Sequence, residues 1–224
     1  IIFLIRSMIF FTSCEDTIFY DEFKYYFCIV MQKGPRKGQN KVIIKMKKLS
    51  VLEMNRMTEA EFKASEKIPL VVLLDNVRSQ HNVGSVFRTA DAFRVEKIVL
   101  CGICCCPPHP EIHKTALGAE NTVAWEYESD TLQAVQKLKE QGYIIYAVEQ
   151  AHDSVSLENL QLKKDEKYAI VLGHEVKGVQ QEVVDLCHHC VEIPQFGTKH
   201  SLNVSVASGI VQWAFFEQLH FKID

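Results

Sequence analysis

From residue 69 onward, short runs that are nearly continuous in Val, Ile, Leu and Tyr alternate with stretches in which apolar residues recur every three or four positions. The runs at 70–75, 97–102, 143–149, 168–173 and 190–194 predict strands buried on both faces, because a half-exposed strand would alternate polar and apolar residues. The stretches between them predict helices over about 83–94, 111–120, 130–141, 178–188 and 203–219. Strand alternating with helix predicts an α/β fold, a mostly parallel sheet with helices on both faces. In the last helix Val204, Ala207, Val211, Ala214, Phe215 and Gln218 fall on adjoining turns, and Val206, Ile210 and Trp213 widen the apolar surface. A helix this apolar is expected to be buried inside the domain or between subunits. Nearer the front, the hydroxyl of Thr58 before Glu59 and Glu61 predicts a short helix to about residue 66, followed by a linker.

Residues 1–45 do not fit this pattern. They are rich in Ile, Phe, Tyr and Lys, show no sustained period of 2 or 3.6, and carry the basic segment Lys33-Gly34-Pro35-Arg36-Lys37-Gly38. Little structure is expected there. Met46 reads as a natural start, with the preceding stretch an extension; a basic arm that grips RNA is the rival reading. The expected organisation is thus an extension over 1–45, a helix and linker over 46–68, and one domain over 69–224.

The chain of 224 residues is 47% hydrophobic, enough for one well-buried domain. Its formal charge of −3 is uneven: residues 1–45 carry seven Lys and Arg against four Asp and Glu, and the rest is acidic. Any contact with nucleic acid must therefore come from a local basic patch. Cysteines stand at 14, 28, 101, 104, 105, 106, 187 and 190. Three in a row suit free thiols in a reducing cytoplasm better than a disulfide framework. No apolar run reaches the roughly 18 residues of a membrane span, so no membrane association is expected.

Three polar segments interrupt the apolar pattern. The first, Asn76 to Ala90, crowds Asn76, Arg78, His81, Asn82, Gly84 and Arg88 after a strand end, where α/β sheets place their sites. Its simplest reading is that Asn82 caps the helix and Arg88 pairs with Asp91 or Glu96. Asn82 and Arg88 are six residues apart, so they do not share a helical stripe. The second, Leu172-Gly173-His174-Glu175-Val176-Lys177-Gly178, has glycines that admit close backbone approach and a carboxylate that can accept hydrogen bonds. It matches neither a dinucleotide fingerprint nor a P-loop. The third, Ile193-Pro194-Gln195-Phe196-Gly197-Thr198-Lys199-His200-Ser201-Leu202-Asn203, ends at a helix start where free N–H groups face a ligand or where Ser201 or Asn203 caps.

In this order the three segments resemble the motifs of the SpoU (TrmH) family of the SPOUT superfamily, RNA 2′-O-ribose methyltransferases that use S-adenosylmethionine. The resemblance runs from about residue 69 to 219. It implies a deep C-terminal trefoil knot, which periodicity does not reveal, and a homodimer whose subunits both shape each site. It implies catalytic positions at Asn82, Arg88, Glu175, Ser201 and Asn203. Cofactor contacts are implied at Leu172, Gly173 and His174, at Ile193 and Pro194, and at Ser201 and Leu202. Arg78, His81, Arg88 and Lys199 are the cations nearest the motifs and the expected RNA contacts, with Lys114 and His200 beside them. The RNA is expected to be tRNA or rRNA; a knotted RNA-binding assembly protein without catalysis is the alternative. Segment two departs from the family pattern at Val176-Lys177.

A sulfonium methyl needs chiefly alignment with the ribose hydroxyl and help with proton loss. A guanidinium stays protonated, so Arg88 is read as holding a phosphate and a developing alkoxide, not as the base. Asn82 and Asn203 are read as orienting groups and Glu175 as their anchor. No metal is expected: the pairs Cys101/Cys104 and Cys187/Cys190 are too far apart for a zinc ribbon, and Pro110 between His109 and His113 favours a loop and helix start.

Overall fold

The structure, a computed structural model, describes residues 17–19, 28–33, 40–45, 47–50 and 53–220. It divides into two units, Ile1–Arg56 and Met57–Asp224.

In the first unit β1 (Thr17–Phe19), β2 (Cys28–Lys33) and β3 (Asn40–Lys45) form an antiparallel sheet in the order β1-β2-β3. These strands fall within residues 1–45, where the sequence pattern predicts little structure. The Ile and Val content of 29–30 and 42–44 suits strands even without a period of 2.

The second unit opens with α1 (Glu59–Ala64), closed by a reciprocal cap in which Thr58 Oγ1 accepts from Glu61 N at 3.3 Å and Glu61 Oε2 accepts from Thr58 N at 2.7 Å. In chain order there follow β4 (Ile68–Asp75), α2 (Gln80–Ala92), β5 (Val95–Cys101), α3 (Pro110–Ala116), α4 (Ala119–Thr122), β6 (Ala124–Glu128), α5 (Thr131–Glu140), β7 (Tyr143–Val148), β8 (Val155–Ser156), β9 (Lys167–Leu172), α6 (Gln181–Leu186), β10 (His189–Glu192) and α7 (Val204–Leu219). The seven strands pair in parallel in the order β6-β5-β4-β9-β7-β10-β8. The α/β architecture expected from the chain is the one observed.

Alternate residues of β4 enter two cores. Leu70, Val72 and Leu74 pack with Val83, Val86 and Phe87 of α2 and with Val211 and Phe215 of α7. Val71 and Leu73 pack with Val135 and Leu138 of α5 and Val183 of α6. Both faces of the central strands are covered, which explains their unbroken apolar runs.

Besides the short strand β8, three elements differ from expectation. The helix expected over 111–120 breaks where Leu117 and Gly118 take φ of 53° and 98°. The strand β6 was not anticipated: four of its five residues are exposed, so it lacks the buried pattern. The helix expected over 178–188 begins only after Gly178, at φ 69°, and is capped at Cys187.

The helices α2 and α7 lie side by side in the same direction. Asn82 meets Asn203 at one end, and at the other Phe93 meets Trp213 and Phe216 with ring centroids 5.7 and 5.1 Å away. One face of α7 is buried through Val204, Ser208, Val211, Phe215 and Leu219. Its opposite face is open, with Val206 and Trp213 50% exposed and Ile210 38%. No helix of the described residues is long and apolar enough to cross a membrane.

Candidate functional site

The adjacent strands β9, β7 and β10 end on one edge of the sheet, and the loops that follow them enclose a cleft of about 1020 Å³. Such a crevice outside the carboxyl ends of parallel strands is where this architecture leaves room for a ligand. Leu172 and Ile193 give it apolar walls, while Glu149, Gln150 and His152 supply polar groups. The loop after β9 is closed by His174 N–H donating to Gly178 O at 3.0 Å and Gly178 N–H donating to His174 O at 2.9 Å. A Cβ on Gly173 would lie 2.1 Å from backbone atoms of Gly178 and Val179, so only glycine fits there. Glu149 steadies the same loop by accepting from Val179 N–H at 3.0 Å. The third segment is tied down by Gln150 Nε2 donating to His200 O at 3.0 Å.

At the margin of this cleft the three polar segments meet. Ser79, not Asn82, caps α2: its side chain accepts from Asn82 N–H at 3.3 Å. That corrects the capping role read for Asn82 and frees its amide. Asn82 Nδ2 donates to Glu175 Oε1 at 3.0 Å, and Asn82 Oδ1 accepts from Asn203 Nδ2 at 3.2 Å. The second carboxylate partner is the backbone ahead of α2, with Ser79 N–H on Oε1 at 2.9 Å and Arg78 N–H on Oε2 at 3.1 Å. Burial pushes the Glu175 carboxyl up, but the hydrogen bonds from Ser79, Arg78 and Asn82 outweigh it and hold the group below its ordinary value. It is thus an anion at neutral pH, seated at the positive end of a helix. Because an ionised carboxylate only accepts, it fixes which way the Asn82 amide points, and Asn82 in turn presents an oxygen to Asn203. Asn203 meanwhile caps α7, its Oδ1 accepting from Ser205 N–H at 2.9 Å. Capping and site geometry are the same contact network.

The model of the SpoU rRNA Methylase family matches residues 69–213. The chain belongs to the SpoU methylase family. A protein of Staphylococcus aureus named within the TrmH family of tRNA/rRNA methyltransferases is 30% identical over 158 residues, 70% of this chain and 62% of that one. A 23S rRNA (guanosine-2′-O-)-methyltransferase of Vibrio parahaemolyticus is 32% identical over 160 residues, 70% of this chain and 63% of the relative. The chain therefore spans a little over three fifths of these relatives' length. Among solved structures, an AdoMet-bound rRNA methyltransferase from Sinorhizobium meliloti superposes with a TM-score of 0.64 at 25% identity, covering 71% of this chain and 61% of that chain.

Within this SpoU fold, Leu172, Gly173, His174 and Glu175 line the cleft, as do Ile193, Ser201 and Leu202. Pro194 does not line it, and Asn82 and Asn203 stand at its margin through the contacts above. Arg78, His81, Lys199 and His200 are exposed, and His200 borders the cleft. His81 is paired with Glu111 at 2.9 Å. Arg88 is not brought to the cleft. It is exposed and forms no hydrogen bond or ion pair with the described residues. The expected partners are taken: Asp91 accepts from Thr122 and Glu96 from Tyr143.

Two acidic residues were missed. Glu149 ends an apolar run at the same sheet edge, which was the available signal. Asp75, fully buried at the end of β4, accepts from Thr131 Oγ1 at 2.6 Å, Gln180 Nε2 at 2.8 Å and Gln180 N–H at 3.0 Å. It ties the starts of α5 and α6 to the loop that opens the first segment. Among the described residues no group of three or more His, Cys, Asp or Glu stands ready to hold a metal. Burial pushes the thiols of Cys104 and Cys187 up to about 12, so both are protonated. His109 caps α3 ahead of Pro110.

Proposed function

We propose that this protein transfers the methyl group of S-adenosylmethionine to a ribose 2′-hydroxyl of a tRNA or rRNA. The observation that carries the reading is the hydrogen-bonded series Glu175–Asn82–Asn203, which joins three distant segments at the mouth of one cleft.

The cleft suits the cofactor. Its volume lies at the upper end of the roughly 300–1,000 Å³ typical of ligand pockets, and its walls combine apolar Leu172 and Ile193 with polar Glu149 and Gln150. Leu172, Gly173, Ile193 and Leu202 would hold the adenosyl portion. When bound, the cofactor supplies a methyl on a sulfonium, already activated for transfer. What the chain must add is alignment of the acceptor hydroxyl, and the Asn82 and Asn203 amides are held for that by an anion that cannot reorient them. Arg88 stays cationic and offers its guanidinium to a phosphate and the developing alkoxide.

Arg88 and Asn82 lie on different stripes of their own helix, and among the described residues the face of α7 with Val206, Ile210 and Trp213 is partly exposed. Both facts support a homodimer built on α7, in which Arg88 of one subunit serves the cleft of the other. The deep C-terminal knot of the family belongs to the same proposal.

The test is calorimetric titration of S-adenosylmethionine followed by ribose-methylation mapping of RNA treated with the native and Arg88→Ala proteins. Cofactor binding with methylation lost in the variant is expected. RNA binding without any cofactor binding would instead identify an assembly protein, and methylation of a base would refute the ribose assignment.

A further inference from the structure

A second cavity, of 620 Å³, lies away from the cleft, between the loop carrying Pro107 and Pro108, the rings of His109 and His113, and Trp125 on β6. Among the described residues β6 is one of the two edge strands of the sheet. On it Trp125 is 36% exposed and Tyr127 50% exposed. Two residues apart, they share one face of the strand, so two aromatic surfaces follow one another along an uncovered edge. Tyr127 is held in place by its hydroxyl, which donates to Gly102 O at 2.9 Å. The cavity also offers polar groups. The Glu120 carboxylate is bonded to His113 Nδ1 at 2.6 Å and to Gly118 N–H at 3.0 Å, and the Asn121 amide stands exposed beside it.

Two carboxylates around this edge, Glu126 and Glu111, are paired with lysines. Glu120 is paired with His113, Glu126 with Lys97, and Glu111 with Lys114 and His81. The lysine pairs lessen the repulsion of a polyanion at this edge. The edge is also continuous with the first polar segment. Helix α3 packs on α2 at Gly84, where a Cβ would lie 2.1 Å from Thr115 Oγ1, and Thr115 Oγ1 donates to the carbonyl of His81 at 3.0 Å. Arg88, one turn beyond Gly84, leaves α2 on the same face. From Thr115 to the His109 end of α3 is about 9 Å at the rise of a helix, or about three nucleotides at the stacked spacing of a strand.

We propose that this cavity takes an unpaired base of the substrate RNA, stacked on Trp125 and bordered by Pro107 and Pro108. The inference rests on RNA being the substrate. Stacking on an aromatic ring is tolerant of base identity, while Asn121 offers a donor and an acceptor to the base edge. Trp125 is a positioning residue, acting on where the RNA lies and not on the reacting atoms.

The test uses the full chain and short single-stranded oligoribonucleotides, read by tryptophan fluorescence and by methylation kinetics. Oligoribonucleotide should quench native fluorescence. Trp125→Phe should bind with near-native affinity but lose the quenching, leaving Trp213 as the silent reporter. Trp125→Ala should raise KM for RNA roughly five- to a hundredfold, the loss of one stacked base, with kcat, cofactor affinity and the salt slope of RNA binding unchanged. Absence of quenching, or an unchanged KM in Trp125→Ala, would overturn the proposal, and a proline-rich peptide that quenches where RNA does not would reassign the cavity to a protein partner. If methyl transfer persists with KM unchanged, only the cavity assignment fails. If the native chain binds no cofactor but RNA still quenches Trp125, the methyl-transfer reading fails and the base site stands.

Discussion

Asn203 donates from its side-chain amide to Asn82 Oδ1 at 3.2 Å, a contact between residues 121 positions apart that links the N-termini of α7 and α2. Both amides are orientable, and a free amide turns over easily. Here the direction is imposed from Glu175, whose carboxylate takes the Asn82 Nδ2 at 3.0 Å and leaves only the oxygen for Asn203.

This polarity makes an isosteric change worse than a truncation. Asn82→Asp places a second carboxylate at hydrogen-bond distance from Glu175, and two like charges so close cannot both ionise without cost. At neutral pH the Asp variant should be less stable than Asn82→Ala by about 1–3 kcal/mol, the scale of a buried polar conflict. Its deficit should shrink as pH falls and one carboxyl takes up a proton. Thermal unfolding of both variants between pH 4 and 8 measures this, and a more stable Asp variant at neutral pH would contradict the contact.

Glu175 also shapes the acid limb of stability. Its folded carboxyl lies below the ordinary 4.5, because the hydrogen bonds of Ser79, Arg78 and Asn82 exceed the opposing effect of burial. The folded state then binds fewer protons than the unfolded one. The resulting stabilisation is complete above about 4.5 and lost as pH falls through the lower folded value. Glu175→Gln keeps an oxygen for Ser79 and Asn82 but cannot titrate. The stability gap between native protein and variant should be widest near neutrality and close below pH 4.5, as read by denaturant unfolding at a series of pH values.

The strands were legible because a parallel sheet covered on both faces demands unbroken apolar runs, as in Leu70 to Leu74. The edge strand was not, since Trp125, Glu126 and Tyr127 are exposed and carry no burial signal. The sequence reading made Asn82 the cap of α2, whereas Ser79 holds that place. Tertiary structure settles the choice, because Asn82 is drawn toward Glu175 and Ser79 remains for the helix end. The cleft segments were readable as polar interruptions at strand ends, yet Asp75 and Glu149 closed apolar runs and looked like strand termini. Arg88 was readable as a cation near the site, and its spacing already put it on a different stripe of α2 from Asn82, but that it stands away from the cleft emerges only from the structure.

The cleft loop after β9 should respond unequally to its two glycines. An added Cβ at Gly173 meets the backbone of Gly178 and Val179 at 2.1 Å, and backbone cannot yield without opening the loop. At Gly178 the nearest atom, also at 2.1 Å, is the Glu149 side-chain oxygen, which can swing away, leaving the cost of φ +69°. That conformation costs a non-glycine residue about 1–2 kcal/mol. Gly178→Ala should fold with a lowered melting temperature and weakened S-adenosylmethionine binding. Gly173→Ala should lose cofactor binding altogether, as calorimetry can establish.

Arg88 is exposed and unpaired among the described residues, so Arg88→Ala should change stability by under about 0.5 kcal/mol while removing methyl transfer. The same loss is expected for Asn203→Ala, whose site contact is explicit. Mixing the two inactive proteins separates the possible architectures. If each cleft combines Asn203 of one subunit with Arg88 of its partner, a mixed dimer contains one site with both residues intact. Random exchange of equal amounts then restores about a quarter of native activity, since half the dimers are mixed and half their sites are whole. If Arg88 serves the cleft of its own subunit, every site lacks one residue and nothing is recovered. Placing Glu at Ile210, in the middle of the open face of α7, should abolish this recovery by separating the subunits, with sedimentation confirming the change in mass. Recovery that survives Ile210→Glu would show that the subunits join through some other surface.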